Sequence, residues 1–270
     1  MLDLILSKAP VYLLIYVRCF ALIMTLPLFS TRAVSRIAKI AFTGYMAFFL
    51  MGTADLSAYN MFLGTDGVFS LYFILLVLGE GLIGIIIGFF ITIIFAAFST
   101  AGQFTAFQMG FSAASTYDAM AQVENPLMGQ FFNFVAMLIF MQNQWFQRLF
   151  LGGLTASFKT LTAISVAQCT QSLVTFMLKG LSKLFWNALI IALPIMGTLL
   201  LITICTGLLS KAAPQMNLLS EGFPIMILTA FFLIMIMLPS MCDFFIRSFV
   251  DGFNSLEDLF LSIGGQINGS

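Results

Sequence analysis

The stretch FSLYFILLVLGEGLIGIIIGFFITIIFAAF, residues 69–98, decides the fold class. It is longer than the roughly 20 apolar residues that cross a bilayer as a helix. A helix of that length must tilt, project beyond the hydrocarbon or be buried in protein. One carboxylate, Glu80, interrupts it. Ionisable groups in such runs are costly and face protein or water rather than lipid. We read Glu80 as an inter-helix hydrogen-bonding or pore-facing group rather than a proton carrier. Asp55 and Asp118 are the only carboxylates in plausible reach, and neither has a sequence-level claim to pair with it. Residues 79–84, GEGLIG, formally match the dinucleotide pattern GxGxxG. That reading fails, because no strand precedes the pattern and no acidic residue follows at the expected place. Gly84 and Gly88 instead form a GxxxG pair, whose missing side chains let another helix approach closely.

The composition extends this reading to the whole chain. Of 270 residues, 61% are hydrophobic and 8% charged, against about 25% charged in an average soluble domain. A soluble core cannot hide so many apolar side chains, so the chain is an integral membrane protein. The formal net charge is zero, and no basic stripe is present for nucleic acid. Histidine is absent, which removes the commonest general base and the commonest metal ligand. Cys19, Cys169, Cys205 and Cys242 are scattered without a CxxC and support neither a disulfide framework nor a zinc site. No HExxH, GxSxG or paired-carboxylate spacing stands out, so neither an enzyme nor a cofactor is expected.

Working outward, we expect about six hydrophobic helices. Residues 10–29 form a first span interrupted by Arg18. A cleavable signal peptide is not expected, because that run carries Arg18 and lacks a clear small-residue cleavage site. A basic loop follows with Arg32, Arg36 and Lys39, and residues 40–63 form a second span. After the long run comes residues 127–145, a fourth. Residues 149–183 are mixed and rich in Ser and Thr, with one amphipathic or interfacial helix expected. Residues 185–209 and 218–241 make the fifth and sixth spans, with Pro194 and Gly197 as potential kinks. The tail from Asp243 is amphipathic and then loose. If the spans alternate, the basic loop at 32–39 and Lys211 share a side and both termini lie outside. Lys159, Lys179 and Lys183 then fall outside too and argue the other way.

Between the third and fourth runs lies TAGQFTAFQMGFSAASTYDAMAQVENP, residues 100–126. Its first half is amphipathic at helical spacing, with Phe104, Phe107 and Phe111 on one face and Thr105, Gln108 and Ser112 on another. Gly110 breaks that pattern, and small and polar residues follow until Pro126. Irregular backbone at membrane depth is tolerated only where protein or a water-filled cavity satisfies its amides. Such a segment is a lumen lining, a re-entrant loop or an ordinary solvent-facing connector.

Three segments together resemble the FliR family of flagellar biosynthetic proteins and their type III secretion counterparts, the SctT proteins. They are Ile83 to Phe89 (IGIIIGF), Thr100-Ala101-Gly102-Gln103 leading to Gln108-Met109-Gly110-Phe111-Ser112, and Gly207 to Asn217 (GLLSKAAPQMN) followed by Gly222-Phe223-Pro224. The resemblance covers nearly the whole chain. It departs where the family often has Asn-Gly-His, because here Asn143-Gln144-Trp145-Phe146 stands. The resemblance implies a non-enzymatic subunit of an export gate, joined to FliP-like and FliQ-like subunits around a secretion pore. FlhB-like and FlhA-like components, membrane lipid and unfolded secreted proteins are the further partners it implies. Residues 1–183 are similar to a FliP-like part and 184–270 to a FliQ-like hairpin with a tail, built as long tilted hairpins. The loop matching Gly110 to Pro126 resembles the plug of the closed pore, with Gly110, Phe111, Ser112, Ala113, Tyr117, Asp118 and Met120 as its residues. An apolar, displaceable constriction blocks ions by dewetting without fixed chemistry. Lys211, Pro214, Gln215 and Asn217 resemble the turn of the FliQ-like hairpin and form a candidate partner contact. The injectisome gate is the alternative within this family. The rival outside it is a stand-alone secondary transporter with Glu80 and the broken central helix at its substrate site.

Overall fold

In a computed structural model, the described residues are 2–30, 34–52, 71–110, 127–163, 166, 169–212 and 218–268. Among them every regular element is helical. The order is α1 (Leu2–Thr25), α2 (Pro27–Ser30), α3 (Arg36–Leu50), α4 (Leu71–Gln108), α5 (Leu127–Gln142) and α6 (Trp145–Gln147). A π-helical stretch (Arg148–Leu154) then leads to α7 (Thr155–Thr160), α8 (Thr170–Ala212) and α9 (Leu218–Asn268). The described helices are those of an all-α membrane protein. Three of them, in α4, α8 and α9, are long and apolar enough to cross a membrane.

Several boundaries differ from the sequence reading for physical reasons. Of the expected second span at 40–63, residues 40–50 lie in a helix that ends at Leu50, and 53–63 lie outside the described residues. That helix's 15 residues reach about 22 Å at 1.5 Å each, short of the roughly 30 Å of hydrocarbon. Asp55 lies outside the described residues. The interfacial helix expected within 149–183 does not stand alone. α7 ends at Thr160, and the helix starting at Thr170 continues through the expected fifth span to Ala212. Pro194 does not end that helix, and neither Pro224 nor Pro239 ends α9. The expected sixth span and the amphipathic tail are likewise one helix. Hydroxyls along α8 bond back to their own helix, as Thr198 Oγ1 does to the Pro194 carbonyl at 2.9 Å and Thr203 Oγ1 to the Leu199 carbonyl at 2.9 Å. Their polar groups are thereby satisfied inside the helix, which reconciles Ser and Thr with an apolar setting.

The described chain divides into two compact units. The first takes residues 1–93, 144–180 and 251–270. Its core is a stripe on α1, with Leu14, Ile15, Cys19, Leu22 and Ile23 fully buried at helical spacing. α1 packs against α3, where Tyr12 Oη donates to the Gly44 carbonyl at 3.1 Å. The rings of Phe29, Phe42, Phe146 and Phe150 pack in one cluster, with Phe146 and Phe150 centroids 4.6 Å apart. The second unit takes residues 94–143 and 181–250. Its centre is a knot of phenylalanines from α4, α5 and α9. Phe98 and Phe245 lie 4.0 Å apart, Phe95 and Phe249 4.9 Å, and Phe140 and Phe249 5.4 Å. There α4 and α5 cross at glycines. A Cβ on Gly102 would overlap the Met128 carbonyl group and come 2.7 Å from Gly129 Cα.

Candidate functional site

The most polar construction in the first unit is built around Arg18, which α1 carries on its buried face. The Arg18 Nε donates to Glu80 Oε2 of α4 at 2.6 Å, and both side chains are fully buried. Nη1 donates to Ser157 Oγ at 3.0 Å, and Nη2 to the Leu161 carbonyl at 2.7 Å. The guanidinium also lies 4.1 Å from the centroid of the Phe158 ring. The Leu161 backbone turns extended just after α7 (φ −108°, ψ 109°). A carbonyl at such a break lacks a helical partner, and the arginine provides one. A planar fork of five N–H donors suits several acceptors at once, which a lysine ammonium cannot match.

Glycines on α4 make this reach possible. A Cβ on Gly79 would overlap the Ala163 side chain, and one on Gly81 would sit 3.3 Å from Val17 Cγ1. One on Gly84 would strike the Arg18 carbonyl oxygen and come 2.9 Å from Ala21 Cβ. One on Gly88 would strike Thr25 Oγ1 and come 3.0 Å from the Leu22 carbonyl oxygen. Gly84 and Gly88 thus receive α1 of the same chain. One turn further, Thr92 Oγ1 donates to the Thr25 carbonyl at 2.7 Å.

Gly110 closes the end of α4. Its amide donates to the Phe107 carbonyl at 3.1 Å, and its φ of +83° is one that glycine adopts freely. A Cβ there would overlap the Phe223 ring. Phe111, Ser112, Ala113, Tyr117, Asp118 and Met120 lie outside the described residues, as do Pro214, Gln215 and Asn217. Lys211 is exposed in the last turn of α8, where a cation complements the helix dipole. Among the described residues no three His, Cys, Asp or Glu side chains gather as metal ligands. Sequence reasoning missed the pairing of Arg18 with Glu80 and the roles of Ser157, Phe158 and Leu161. The available signal was one lone cation and one lone anion, each inside an apolar run.

A family model described as bacterial export proteins, family 1, matches residues 9–252. The chain belongs to that family. It is 30% identical over 237 residues to the flagellar biosynthetic protein FliR of Bacillus subtilis, covering 86% of this chain and 87% of that one. It is 30% identical over 245 residues to FliR of Escherichia coli, covering 90% and 89%. It is 28% identical over 188 residues to the surface presentation of antigens protein SpaR of Shigella sonnei, covering 70% and 71%. By family, this export protein is a membrane-embedded subunit of the flagellar and type III export apparatus and not an enzyme.

Proposed function

We propose that this chain is a subunit of the flagellar export gate and forms part of the pore through which unfolded flagellar proteins pass. The observation that carries the reading is the match to FliR proteins along most of the chain. Relatives named for the flagellum match more of the chain than SpaR does, which favours the flagellar gate over the injectisome. In this reading the chain is a multi-pass protein of the bacterial inner membrane. FliP-like and FliQ-like subunits flank it, FlhB-like and FlhA-like components act with it, and energy comes from partners. Residues 1–183 serve as the FliP-like part and 184–270 as the FliQ-like hairpin, with Lys211, Pro214, Gln215 and Asn217 as a contact at its turn.

Two features of the chain support the reading. The most apolar stretch of α4 is 61% buried within the chain, but those of α8 and α9 are only 28% and 17% buried. Such bare apolar length is what a helix shows before subunits and lipid cover it. Further, α4 ends at Gln108 with Gly110 at positive φ just beyond it, and in this reading residues 110–126 plug the closed pore. An affinity-tagged chain expressed from its own locus tests the assignment. Co-purification of other small membrane proteins, with export of flagellar subunits lost when the gene is removed, is the expected result. A chain that purifies alone, is stable alone and leaves export unchanged on deletion would return the reading to a stand-alone transporter.

A further inference from the structure

We propose that the Arg18–Glu80 pair is a register key: it fixes how far α1 is advanced along α4, and adds little to stability. The two helices run in the same chain direction, with Val17 against Gly81, Ala21 against Gly84 and Thr25 against Gly88. These contacts repeat about every turn on both helices. The apolar residues around them repeat as well, with Leu14, Ile15, Leu22 and Ile23 on α1 and Ile83, Ile87 and Ile91 on α4 all buried. Sliding α1 by one turn sets Val17 against Gly84 and Ala21 against Gly88, again apolar side chains against glycine. The Thr92 hydroxyl does not prevent this, because backbone carbonyls recur at every residue and it bonds the next one. Glycines recurring at helical spacing let the backbones approach in the slipped register as well as in the native one.

The ion pair is not degenerate. Arg18 meets three acceptors at once, Glu80 Oε2, Ser157 Oγ and the Leu161 carbonyl. A slip of one turn carries the guanidinium past all of them and leaves two buried charges apart. Breaking a buried pair is strongly unfavourable, while replacing both members by apolar side chains is often neutral or stabilising. A single polar residue at an otherwise apolar helix seam is known to select register in coiled coils by the same logic.

The double variant Arg18→Met with Glu80→Leu separates register from stability. The reporters are two cysteine pairs in a chain whose four native cysteines are replaced by alanine. Thr25→Cys with Thr92→Cys reports the native register, and Ala21→Cys with Thr92→Cys reports a one-turn slip. With Arg18 and Glu80 present, only the 25–92 pair should crosslink. In the double variant the midpoint of thermal unfolding should lie above that of Glu80→Leu alone, short of wild type only by the lost bonds to Ser157 and Leu161, and the 21–92 pair should crosslink to at least a tenth of the 25–92 yield. A double variant that crosslinks only through 25–92 overturns the proposal, because packing alone then sets the register. One that unfolds at or below the midpoint of Glu80→Leu alone overturns it too, because the pair then supplies stability. Glu80→Gln keeps the shape and a hydrogen bond to Arg18 and should leave the crosslinking pattern native. A slipped pattern there also counts against a key made of this hydrogen-bond set.

Discussion

Around Glu80, α1 meets α4 across glycines and one buried ion pair; around Phe249, three helices meet through tilted and edge-on rings. Both crossings are tight, but they respond to change differently. In the first, glycines bring α4 against the α1 backbone, so there is little side chain to give way, and Arg18 engages three acceptors at once. In the second, Phe249 touches Phe95, Phe98 and Phe140. Tilted ring pairs are each worth about 0.5–1.5 kcal/mol beyond their buried area, so the stabilisation is divided among many replaceable contacts. The glycine crossing is all-or-none and the phenylalanine crossing is graded.

The largest effect should come from Gly88→Leu. Its side chain would have to occupy the space of Thr25 and the Leu22 carbonyl, which backbone cannot vacate. Folded chain should disappear from the membrane fraction, as read by protease resistance and yield. Glu80→Leu alone should come next. It leaves Arg18 buried without its carboxylate and should cost roughly 3–5 kcal/mol, measured by denaturant unfolding in detergent.

Conservative changes sharpen the contrast. Arg18→Lys keeps the charge but loses the fork, leaving buried acceptors short of a donor at about 1–3 kcal/mol. Phe245→Leu stays apolar and loses the ring pair with Phe98, so it should cost about 1 kcal/mol. If Phe245→Leu proved the costlier of the two, the distinction between an all-or-none and a graded crossing would collapse. The smallest effect is expected at Gln144, a non-glycine residue at φ +54°. The left-handed conformation costs a residue with a Cβ roughly 1–2 kcal/mol, so Gln144→Gly should be neutral to slightly stabilising in the same unfolding assay.

Gln144 also shows what the sequence made legible. The family resemblance places an Asn-Gly-His there, and the departure at Gln144 falls on the backbone position where a glycine is easiest to accommodate. The membrane class, the long helix through Glu80 and the break at Gly110 were all readable, because they rest on apolar length and on glycine. The extent of α8 and α9 was not. The spans read as ending at 209 and 241, with Pro194 and Gly197 as potential kinks, but α8 runs from Thr170 to Ala212 and α9 from Leu218 to Asn268, through Pro194, Pro224 and Pro239. The partner of Glu80 was also hidden, since Arg18 lies 62 residues away and helix order says nothing about which faces meet. Gly84 and Gly88 were read as a seam for another helix, and that helix is α1 of the same chain.

In the proposed reading, residues 110–126 close the pore. Deleting residues 112–120 while keeping Gly110 and α5 tests it most directly, in cells expressing the complete gate. The readout is conductance of ions or small solutes across the inner membrane, with assembly checked by co-purification. The account predicts an assembled complex and a leaky membrane, because the packed helices lie outside the deleted stretch. A complex that assembles fully and stays as tight as the wild type would contradict it, and the loop would then be only a connector.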